Sequence, residues 1–595
     1  MQQVGIEAKT VGRESIEAAP ARPLGWTAHE KTFFDDGSFS LLDGFVDAEP
    51  ESANRNGRRK DGDVTTHLMR LYKELGPAFL QRLRGSFAIA LWDAKAQRLI
   101  LAVDPFATRP LFYWSTGKVI AFAPRVSCFS EHNEIPRNID PNSIYFYLNH
   151  SFVPGPLTVY REIKKMEPGQ YLLWENGKAS VQRYWDMTYP EDRRVSEAAV
   201  ADDLMTAVRE SVRFHLQHLD QQLLESGAFL SGGTDSSTLV GLISLITQKR
   251  VKTFSVGFDE ERYNEIYYAR TAASHFSSEA HEYFVKPKEA LDAILLLGRG
   301  YDQPFGNSSA IPTYFCLKLA KDAGVKTMFA GDGGDELFGG NERYVGEKIF
   351  GLYQAVPSSL RWGIDRVAGG LPPVYPWRKI RNYVQKANQA VPDRFFSYQQ
   401  YFRDHANEYF TDEFREILDP DVSLRIPREH YERVGDVSPL NRLLYMDLKL
   451  AIADNDLVKV NGTAECLGIQ VQYPYLDKLV ASVSGRIPAK LKLKGWTKRY
   501  IFKKAFGNLL PKEILKKKKH GFGLPVGDWL RTDPGFRDLA RSLLLEPRAV
   551  SRGYFKQPAL EELLKKHDQD STSYYGSQVW NLMMLELWHR SHVDR

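Results

Sequence analysis

The sequence predicts two domains of different fold class: a sheet-rich α+β domain, then an α/β domain with a doubly wound parallel sheet and a helical extension. The chain has 595 residues, more than the roughly 250–300 that one hydrophobic core usually serves. Short alternating runs separated by turn residues fill its first third, and strand–helix alternation follows them. From about residue 344 onward the pattern is mostly helical.

The composition is that of a globular protein and gives no sign of a nucleic-acid or membrane partner. Hydrophobic residues make up 43% of the chain and charged residues 26%, as in ordinary globular proteins. The formal net charge of +5 is small for this length and predicts neither a nucleic-acid nor a membrane partner. The three widely spaced cysteines predict small buried side chains in a reducing cytoplasm. No signal-peptide core and no apolar run of about 18 residues is apparent.

The N-terminal domain is expected over residues 25–190, after a polar segment, 1–24, that we expect to be flexible. Alternation of apolar and polar residues indicates strands and hairpins there. A helix is expected at 63–75, where apolar residues recur at helical spacing. The predicted strands and hairpins cover 39–47, 85–93, 98–104, 111–123 and 169–178.

The C-terminal domain is expected over residues 195–595, after a charged linker at 188–200. Strands and helices of suitable length alternate through its first part, which favours a parallel sheet with helices on both faces. The predicted strands are 227–230, 251–258, 282–285 and 326–330. The predicted helices are 237–246, 264–276, 288–298 and 308–324.

A glycine-rich segment, LSGGTDSS (residues 230–237), lies where a predicted strand ends and a helix begins. In open parallel sheets, ligands bind at the carboxyl ends of strands, and a helix N-terminus there attracts anions. Gly232 and Gly233 let the backbone wrap an anion, while Ser231, Ser236 and Ser237 add hydroxyl donors. A bridging Mg²⁺ would explain why an aspartate, at position 235, stands beside phosphate.

The pattern SGGxDS resembles the pyrophosphate loop of ATP pyrophosphatases, which cleave ATP between its α and β phosphates. It is not a Walker A loop, because no Gly-Lys-Ser/Thr follows. The structural alternative is a glycine-rich turn with an Asp or Ser helix cap.

A second glycine-rich loop, GDGGDELFGG (residues 331–340), follows the predicted strand 326–330. Its three carboxylates within five residues would repel one another without a cation. A metal–nucleotide site explains them, and a solvated acidic loop is the alternative. We expect the glycines to permit close approach of the backbone to a ligand.

Five separated motifs together resemble the synthetase domain of asparagine synthetases. They are SGGTDSS (231–237), TFSVGF (253–258), DQPFGNSSAIPTY (302–314), GDGGDELFGG (331–340) and KKHGFGLP (518–525). The resemblance covers roughly residues 195–595. LRGSFAIALWD (83–93), DPFATRPLFYW (104–114) and VIAFAPRVSCF (119–129) are similar to the later part of the family's glutaminase domain, which implies an Ntn-hydrolase-like fold for the N-terminal half.

This resemblance implies that ATP and Mg²⁺ activate a substrate carboxylate as an acyl-adenylate, which ammonia or a substrate amine then attacks. Lys519 would face the phosphates, with Lys498 as a weaker candidate, and Asp332 would lie near the attacking amine. Asp235 and Asp335 match the Mg²⁺ ligands. The implied nucleotide-binding residues are Leu230, Ser231, Gly232, Gly233, Asp235, Ser236, Ser237, Val256 and Gly331.

The sequence departs from the family at the glutaminase nucleophile. Glutamine-dependent members begin Met-Cys-Gly and use the exposed N-terminal cysteine. Here residue 2 is Gln2, and no cysteine occurs before Cys128. The glutamine-binding phrase NGE is replaced by Asp43-Gly44-Phe45. We therefore expect no glutaminase activity.

The acceptor site also departs from the family. Gly462 and Gln472 stand where family members carry arginines, and glutamine cannot replace an arginine's bidentate charge. Three interpretations stay open: an ammonia-using ligase acting on aspartate or a sugar uronic acid, a cyclising enzyme like β-lactam synthetases and lasso-peptide cyclases acting on a small molecule or peptide, and a non-catalytic binding protein. The oligomeric state, a homodimer included, is also open.

Overall fold

The computed structural model describes residues 21–23, 30–48, 63–192, 194–372, 374, 377–517, 523–570, 572 and 574–594. They form two compact units. Unit 1 comprises residues up to 139 together with 155–186, and unit 2 comprises 140–154 together with residues from 187 onward. Among the described helices, none is both long and apolar enough to cross a bilayer. Most of the N-terminal segment 1–24, Gln2 included, lies outside the described residues.

Unit 1 is built from strands and one long helix. The strands described there are β1 (Ala21–Pro23), β2 (Glu30–Phe33), β3 (Phe39–Ala48), β4 (Leu83–Asp93), β5 (Arg98–Val103), β6 (Phe112–Ser115), β7 (Ile120–Ala123), β8 (Lys164–Lys165), β9 (Gln170–Glu175) and β10 (Lys178–Arg183). The helix α1 (Val64–Leu75) is followed by a 3₁₀ turn, Gly76–Arg82, and a second such turn spans Val126–Glu131.

Two sheets result from these strands. One is six-stranded and antiparallel, in the order β10-β9-β5-β4-β3-β2, and the other is four-stranded, in the order β1-β7-β6-β8. Strand β1 lies within the segment expected to be flexible, yet it pairs with β7 in parallel.

Both faces of the six-stranded sheet are buried, which explains its nearly continuous apolar strands. Alternate residues of a strand point to opposite faces. Leu41 and Ala88 pack toward the four-stranded sheet with Phe122, whereas Leu42 and Ile89 pack toward α1. This sandwich confirms the α+β, Ntn-like class predicted for the N-terminal part.

Unit 2 contains a five-stranded, fully parallel sheet. Its strands are β11 (Ser226–Phe229), β12 (Lys252–Gly257), β13 (Glu279–Phe284), β14 (Thr327–Phe329) and β15 (Gln470–Gln472), in the order β13-β12-β11-β14-β15. A small hairpin is formed by β16 (Leu493–Lys494) and β17 (Thr497–Lys498). The chain winds outward from β11 in both directions, so the predicted doubly wound class is confirmed.

Helices surround this sheet and form the predicted extension. Those up to the second glycine-rich loop are α2 (Pro141–His150), α3 (Glu197–Gln217), α4 (Thr234–Thr247), α5 (Ile266–His275), α6 (Pro287–Gly300), α7 (Ala310–Asp322) and α8 (Gly334–Phe338). Next come α9 (Glu342–Gln354), α10 (Ser358–Gly369), α11 (Trp377–Ala387), α12 (Asp393–Phe396), α13 (Tyr401–Asp404), α14 (Ala406–Tyr409), α15 (Asp412–Glu416), α16 (Val422–Arg433) and α17 (Pro439–Asp447).

The remaining helices are α18 (Leu457–Leu467), α19 (Lys478–Arg486), α20 (Ala489–Lys492), α21 (Tyr500–Ala505), α22 (Lys512–Lys516), α23 (Val526–Thr532), α24 (Pro534–Leu545), α25 (Pro547–Val550), α26 (Gln557–Gln569) and α27 (Gly576–His592). A π-helical stretch, Leu448–Asp456, joins α17 to α18. Such stretches occur often at functional sites. Short 3₁₀ turns span Asp220–Glu225 and Glu261–Tyr263.

The sheet topology places the two glycine-rich loops side by side. Strand β11 pairs with β12 on one side and with β14 on the other, all in parallel. The loops after β11 and β14 therefore leave neighbouring strands at the same edge of the sheet. This edge is the topological switch point, where ligands bind in open α/β sheets.

Candidate active site

A cavity of about 450 Å³ lies in unit 2 at this edge of the sheet. Its walls come from both glycine-rich loops, from the start of α18 and from the segments around β17 and α22. Ser309 and Thr313, from the third predicted motif, also line it. The lining includes the following predicted site residues: Leu230, Ser231, Gly233, Asp235, Ser236, Val256, Gly331, Asp332, Asp335 and Lys498.

The first loop is held tightly at the end of β11. The amide of Leu230 donates to the carbonyl of Phe254 at 3.0 Å. The hydroxyls of Ser231 and Ser236 lie 3.2 Å apart, and Gly233 caps α4. The N-terminal turn of α4 therefore faces the cavity with two hydroxyl groups beside it, an arrangement suited to an anion.

Two predicted phosphate-binding residues, Gly232 and Ser237, do not line the cavity. Gly232 has φ +65°, and a β-carbon there would lie 2.5 Å from the amide nitrogen of Ala269 in α5. Packing of the loop on α5 therefore leaves no space for a side chain at position 232. Ser237 is fully buried, and its hydroxyl has no hydrogen-bond partner among the residues that the structure describes.

The two carboxylates predicted to bind metal, Asp235 and Asp335, share one guanidinium group. Arg499 pairs with Oδ1 of Asp235 and with Oδ1 of Asp335, and its Nη2 also lies 2.5 Å from Oδ2 of Asp235. Only 6% of the arginine side chain is exposed. Arg499 adopts φ +53°, which is uncommon for a residue with a side chain. One guanidinium therefore bridges both carboxylates at the cavity wall and balances one of their two negative charges.

The second loop is rich in glycine because these side chains need its space. A β-carbon on Gly334 would lie 2.6 Å from Oδ1 of Asp235, and one on Gly331 would lie 3.2 Å from the β-carbon of Asp235. A β-carbon on Gly340 would overlap Asp335 and Arg499. Gly331, Gly334 and Gly340 therefore leave room for the carboxylate–guanidinium cluster, and close approach of a ligand to this backbone stays a prediction.

We expect Gly340→Ala to lower the free energy of unfolding by about 1–3 kcal/mol, because the added methyl group displaces the Arg499 ion pairs. The matched control is Gly346→Ala in α9, since no described atom lies within 4 Å of a β-carbon there. That control should stabilise the protein by about 0.5–1 kcal/mol through helix propensity. Urea unfolding of both variants measures the difference, and equal stabilities would contradict the packing account.

Lysine side chains contribute further positive charge to the cavity. Lys517 Nζ donates to the carbonyl of Ser231 at 3.0 Å and lies 3.1 Å from Glu265. Burial lowers the pKa of Lys517, and Glu265 opposes that change. Lys498 lines the cavity and pairs with Glu342. Lys519 falls within 518–522, outside the described residues, so its role stays a prediction.

Three acidic side chains and one lysine line the other end of the cavity; they are Asp332, Glu336, Asp456 and Lys459. Lys459 Nζ lies 2.7 Å from Asp456 and 4.0 Å from Asp332. Burial raises the pKa of Asp332 to about 6, with Asp456 adding to the rise and Lys459 opposing it. Burial also raises the pKa of Glu336 to about 8. This end can therefore hold a proton near neutral pH.

The two positions expected from the resemblance to hold arginines, Gly462 and Gln472, do not line the cavity. A β-carbon on Gly462 would overlap the ring of Tyr301. Gln472 is 97% buried in β15. Lys459, on the same helix as Gly462, is the cation that α18 presents to the cavity.

Three cations that line the cavity, Arg499, Lys459 and Lys517, are not among the residues predicted from the sequence. Arg499 directly follows the candidate Lys498, and Lys517 belongs to a basic run that also fits a solvated surface. The segment 494–500 contains one glycine, and nothing in its spacing distinguishes Arg499 from Lys498. Lys459 lies two residues before the unusual pair Asn461-Gly462, which could have drawn attention to this turn of α18.

A parallel sheet with two adjacent glycine-rich loops, one opening a helix and both carrying carboxylates, defines an α/β nucleotide-binding enzyme domain. Comparison with known families agrees. The family "Asparagine synthase" matches residues 204–590, and "Glutamine amidotransferase domain" matches 51–185. The chain belongs to the asparagine synthase family, with an N-terminal glutamine amidotransferase domain, and is an ATP-dependent carbon–nitrogen ligase that forms amides.

Curated relatives span most of the chain. Asparagine synthetase [glutamine-hydrolyzing] 1 of Bacillus subtilis is 26% identical over 538 residues, covering 90% of this chain and 81% of the relative. A putative asparagine synthetase [glutamine-hydrolyzing] of Mycobacterium bovis is 25% identical over 546 residues, covering 90% and 80%. Amidase chry2 of Gibberella zeae is 24% identical over 509 residues, covering 77% and 72%.

Proposed function

We propose that the protein activates a substrate carboxylate with ATP, releasing pyrophosphate, and passes the acyl group to ammonia or to a substrate amine with release of AMP. We further propose that this chemistry occupies a domain over 195–595. The observation that carries the proposal is the pair of carboxylates, Asp235 and Asp335, that face one cavity from neighbouring strand ends. This pair matches the need of a magnesium–nucleotide complex for one or two carboxylates plus phosphate oxygens.

The residues present fit a magnesium ion. Asp235 and Asp335 already surround a positive group, the guanidinium of Arg499. No three His, Cys, Asp or Glu side chains converge as a metal site within the described part of the chain, so the remaining ligands would be phosphate and water oxygens. When bound, Mg²⁺ would neutralise charge on the pyrophosphate leaving group.

Arg499 then has two roles in the proposed cycle. Without nucleotide it bridges the two carboxylates and balances one of their two negative charges. With Mg²⁺ held by Asp235 and Asp335, the guanidinium would be free to turn toward the phosphates, where it would stabilise charge as the α–β bond breaks. Lys517 and the N-terminal turn of α4 bind the phosphates from the opposite side.

The acidic end of the cavity is the proposed acceptor and amine site. The substrate carboxylate oxygen attacks the α-phosphorus, and the bond to pyrophosphate breaks. An amine nitrogen then attacks the acyl carbon, and the bond to AMP breaks. Asp332 accepts the proton that the amine loses, and Lys459 keeps its carboxylate oriented at 4.0 Å.

The acceptor differs from free aspartate in this proposal. Gly462 and Gln472 supply no charge at the positions of the family's arginines, and Tyr301 fills the space next to Gly462. A second candidate function is an intramolecular amide formation like that of β-lactam synthetases or lasso-peptide cyclases, in which the amine belongs to the substrate. Gln2 in place of the glutaminase cysteine favours it, because such an enzyme needs no glutamine hydrolysis.

Pyrophosphate release across a panel of carboxylic acids, with and without ammonium, tests both candidates. Ammonium-dependent turnover supports amidation, whereas turnover without ammonium supports cyclisation. Absence of turnover with every acid and amine would favour a non-catalytic binding protein and contradict the proposal.

We also propose that the N-terminal domain, over 25–190, has lost glutaminase activity. Gln2 replaces the N-terminal cysteine, and Cys128 lies within a 3₁₀ turn of unit 1 rather than at a chain terminus. The domain would then act as a scaffold.

The expected result is that purified protein releases no glutamate from glutamine above the uncatalysed rate, with or without ATP. The lost nucleophile is the physical reason, since an uncharged amide side chain cannot form the thioester. An enzyme-coupled glutamate assay measures this, with an active glutamine-hydrolysing synthetase as positive control. Glutamate release above the uncatalysed rate would contradict the loss, and Cys128→Ser would then show whether Cys128 supplies the nucleophile.

A further inference from the structure

Helices α9, α10 and α11 form a separate group within unit 2. They share a small core of Tyr353, Ala368, Val384 and Ala387, with Phe350 and Tyr383 packed against it. The hydroxyl of Tyr383 donates to the carbonyl of Ile349 in α9 at 3.0 Å. This core uses one side of each helix, so the outer sides of α10 and α11 are left to face the surroundings.

Those outer sides carry large apolar side chains. Among the described residues of 349–380, nine large hydrophobic side chains are exposed, by up to 68% at Val367. Exposed apolar side chains that cluster on a folded monomer often mark a binding surface. The residues are Ile349, Leu352, Leu360, Trp362, Ile364, Val367, Val374, Trp377 and Ile380.

The apolar side chains concentrate near the point where α10 and α11 join. Leu360, Ile364 and Val367 recur at helical spacing on one side of α10, and Trp377 and Ile380 occupy the first turn of α11. Val374 lies between the two helices. We call the described exposed apolar residues from 360 to 380 the hairpin tip.

Positive charge surrounds the hairpin tip. Residues 358–387 contain six Arg or Lys and a single acid, Asp365. Asp365 is used internally, because its carboxylate accepts hydrogen bonds from Tyr353 and Asn388. Arg366, Arg378, Arg381 and Lys386 form no salt bridge with any residue that the structure describes. Residues 358–387, which include α10 and α11, thus carry a net charge of +5, equal to that of the whole chain.

We propose that the hairpin tip binds the surface of an anionic lipid bilayer. Apolar and tryptophan side chains gain free energy by entering the interfacial region, and flanking arginines and lysines are attracted to anionic headgroups. With 12 and 11 residues, α10 and α11 are too short to span the bilayer, so the contact is peripheral. The expectation of no membrane partner used the whole-chain charge, which conceals this local concentration.

Two other occupants fit the surface less well. Nucleic acid would use the basic residues but would gain little from the exposed aliphatic side chains. A second copy of this chain, joined through the same surface by a two-fold axis, would bring together two hairpin tips that are each surrounded by positive charge. An anionic bilayer satisfies both the apolar and the basic residues.

The test is co-sedimentation of the full-length protein with phosphatidylcholine vesicles, with and without phosphatidylglycerol. We expect roughly tenfold or stronger binding to the anionic vesicles, weakened by high salt because the attraction is screened. Equal binding to both vesicles, or no binding to either, would overturn the proposal.

Two variants separate the contribution of the apolar side chains in the hairpin tip from that of the neighbouring arginines. Arg378→Gln/Arg381→Gln should weaken anionic binding about tenfold or more, and Val367→Ser/Val374→Ser/Trp377→Ser should abolish it. The matched control, Leu224→Ser/Ile417→Ser, removes residues that are 70% and 60% exposed elsewhere and should bind normally. Circular dichroism confirms folding of each variant. Unchanged binding by both tip variants, or a dimer in sedimentation that the serine variant dissociates, would overturn the proposal.

Discussion

Replacing Asp235 with Asn is expected to reduce ATP-dependent pyrophosphate release by roughly 10³-fold or more, because the change removes a carboxylate that we propose as a metal ligand beside the phosphates. Asp335→Asn should have a similar effect. Both carboxylates meet at Arg499, so the double variant should lose little more activity than either single one. Pyrophosphate release by the purified variants at saturating MgATP measures this.

The matched control is Glu342→Gln. Glu342 is a carboxylate that pairs with the cavity residue Lys498, but 63% of its side chain is exposed. We expect its removal to change pyrophosphate release by less than about threefold, because exposed ion pairs contribute little. Full activity in Asp235→Asn, with a normal unfolding transition, would remove this carboxylate from the proposed chemistry.

Replacing Arg499 with Met is expected to destabilise the metal-free protein by about 1–3 kcal/mol, because two partly buried carboxylates lose the buried guanidinium that they share. Mg²⁺ should then raise the unfolding temperature of this variant more than that of the unchanged protein, since the ion no longer competes with a guanidinium. Thermal unfolding with and without Mg²⁺ measures both effects.

A surface pair provides the control for this experiment. Arg262 lies 2.8 Å from Asp528, with 64% of the arginine side chain exposed. Arg262→Met should cost less than about 1 kcal/mol and should show no added response to Mg²⁺. If Arg499→Met unfolds like the control, the guanidinium is not the counter-charge of the two carboxylates.

The architecture follows from sequence patterns because hydrophobic periodicity and strand–helix alternation are local. The expected strand 227–230 is observed as Ser226–Phe229, and the expected helix 63–75 as Val64–Leu75, capped by Asp63. Strand β15 was not predicted. It is three residues long, pairs with β14, and lies about 140 residues after it in the chain, so no local pattern indicates it.

The candidate site was predicted in part for a similar reason. Glycine, serine and aspartate spacing identifies the loops that line the cavity, because each loop is a continuous segment. The positions of Arg499, Lys459 and Lys517 depend on packing of helices distant in sequence from those loops. Spacing also cannot tell that Ser237 points into the core, since adjacent residues at the start of a helix differ by about 100° in direction.

The most direct test of the account is a crystal structure of the protein with Mg²⁺ and an ATP analogue that cannot be cleaved between the α and β phosphates. We predict that the metal lies between Asp235 and Asp335, with the guanidinium of Arg499 moved from the carboxylates to the phosphates. A nucleotide bound outside this cavity, or one bound while Arg499 keeps both ion pairs, would contradict the account.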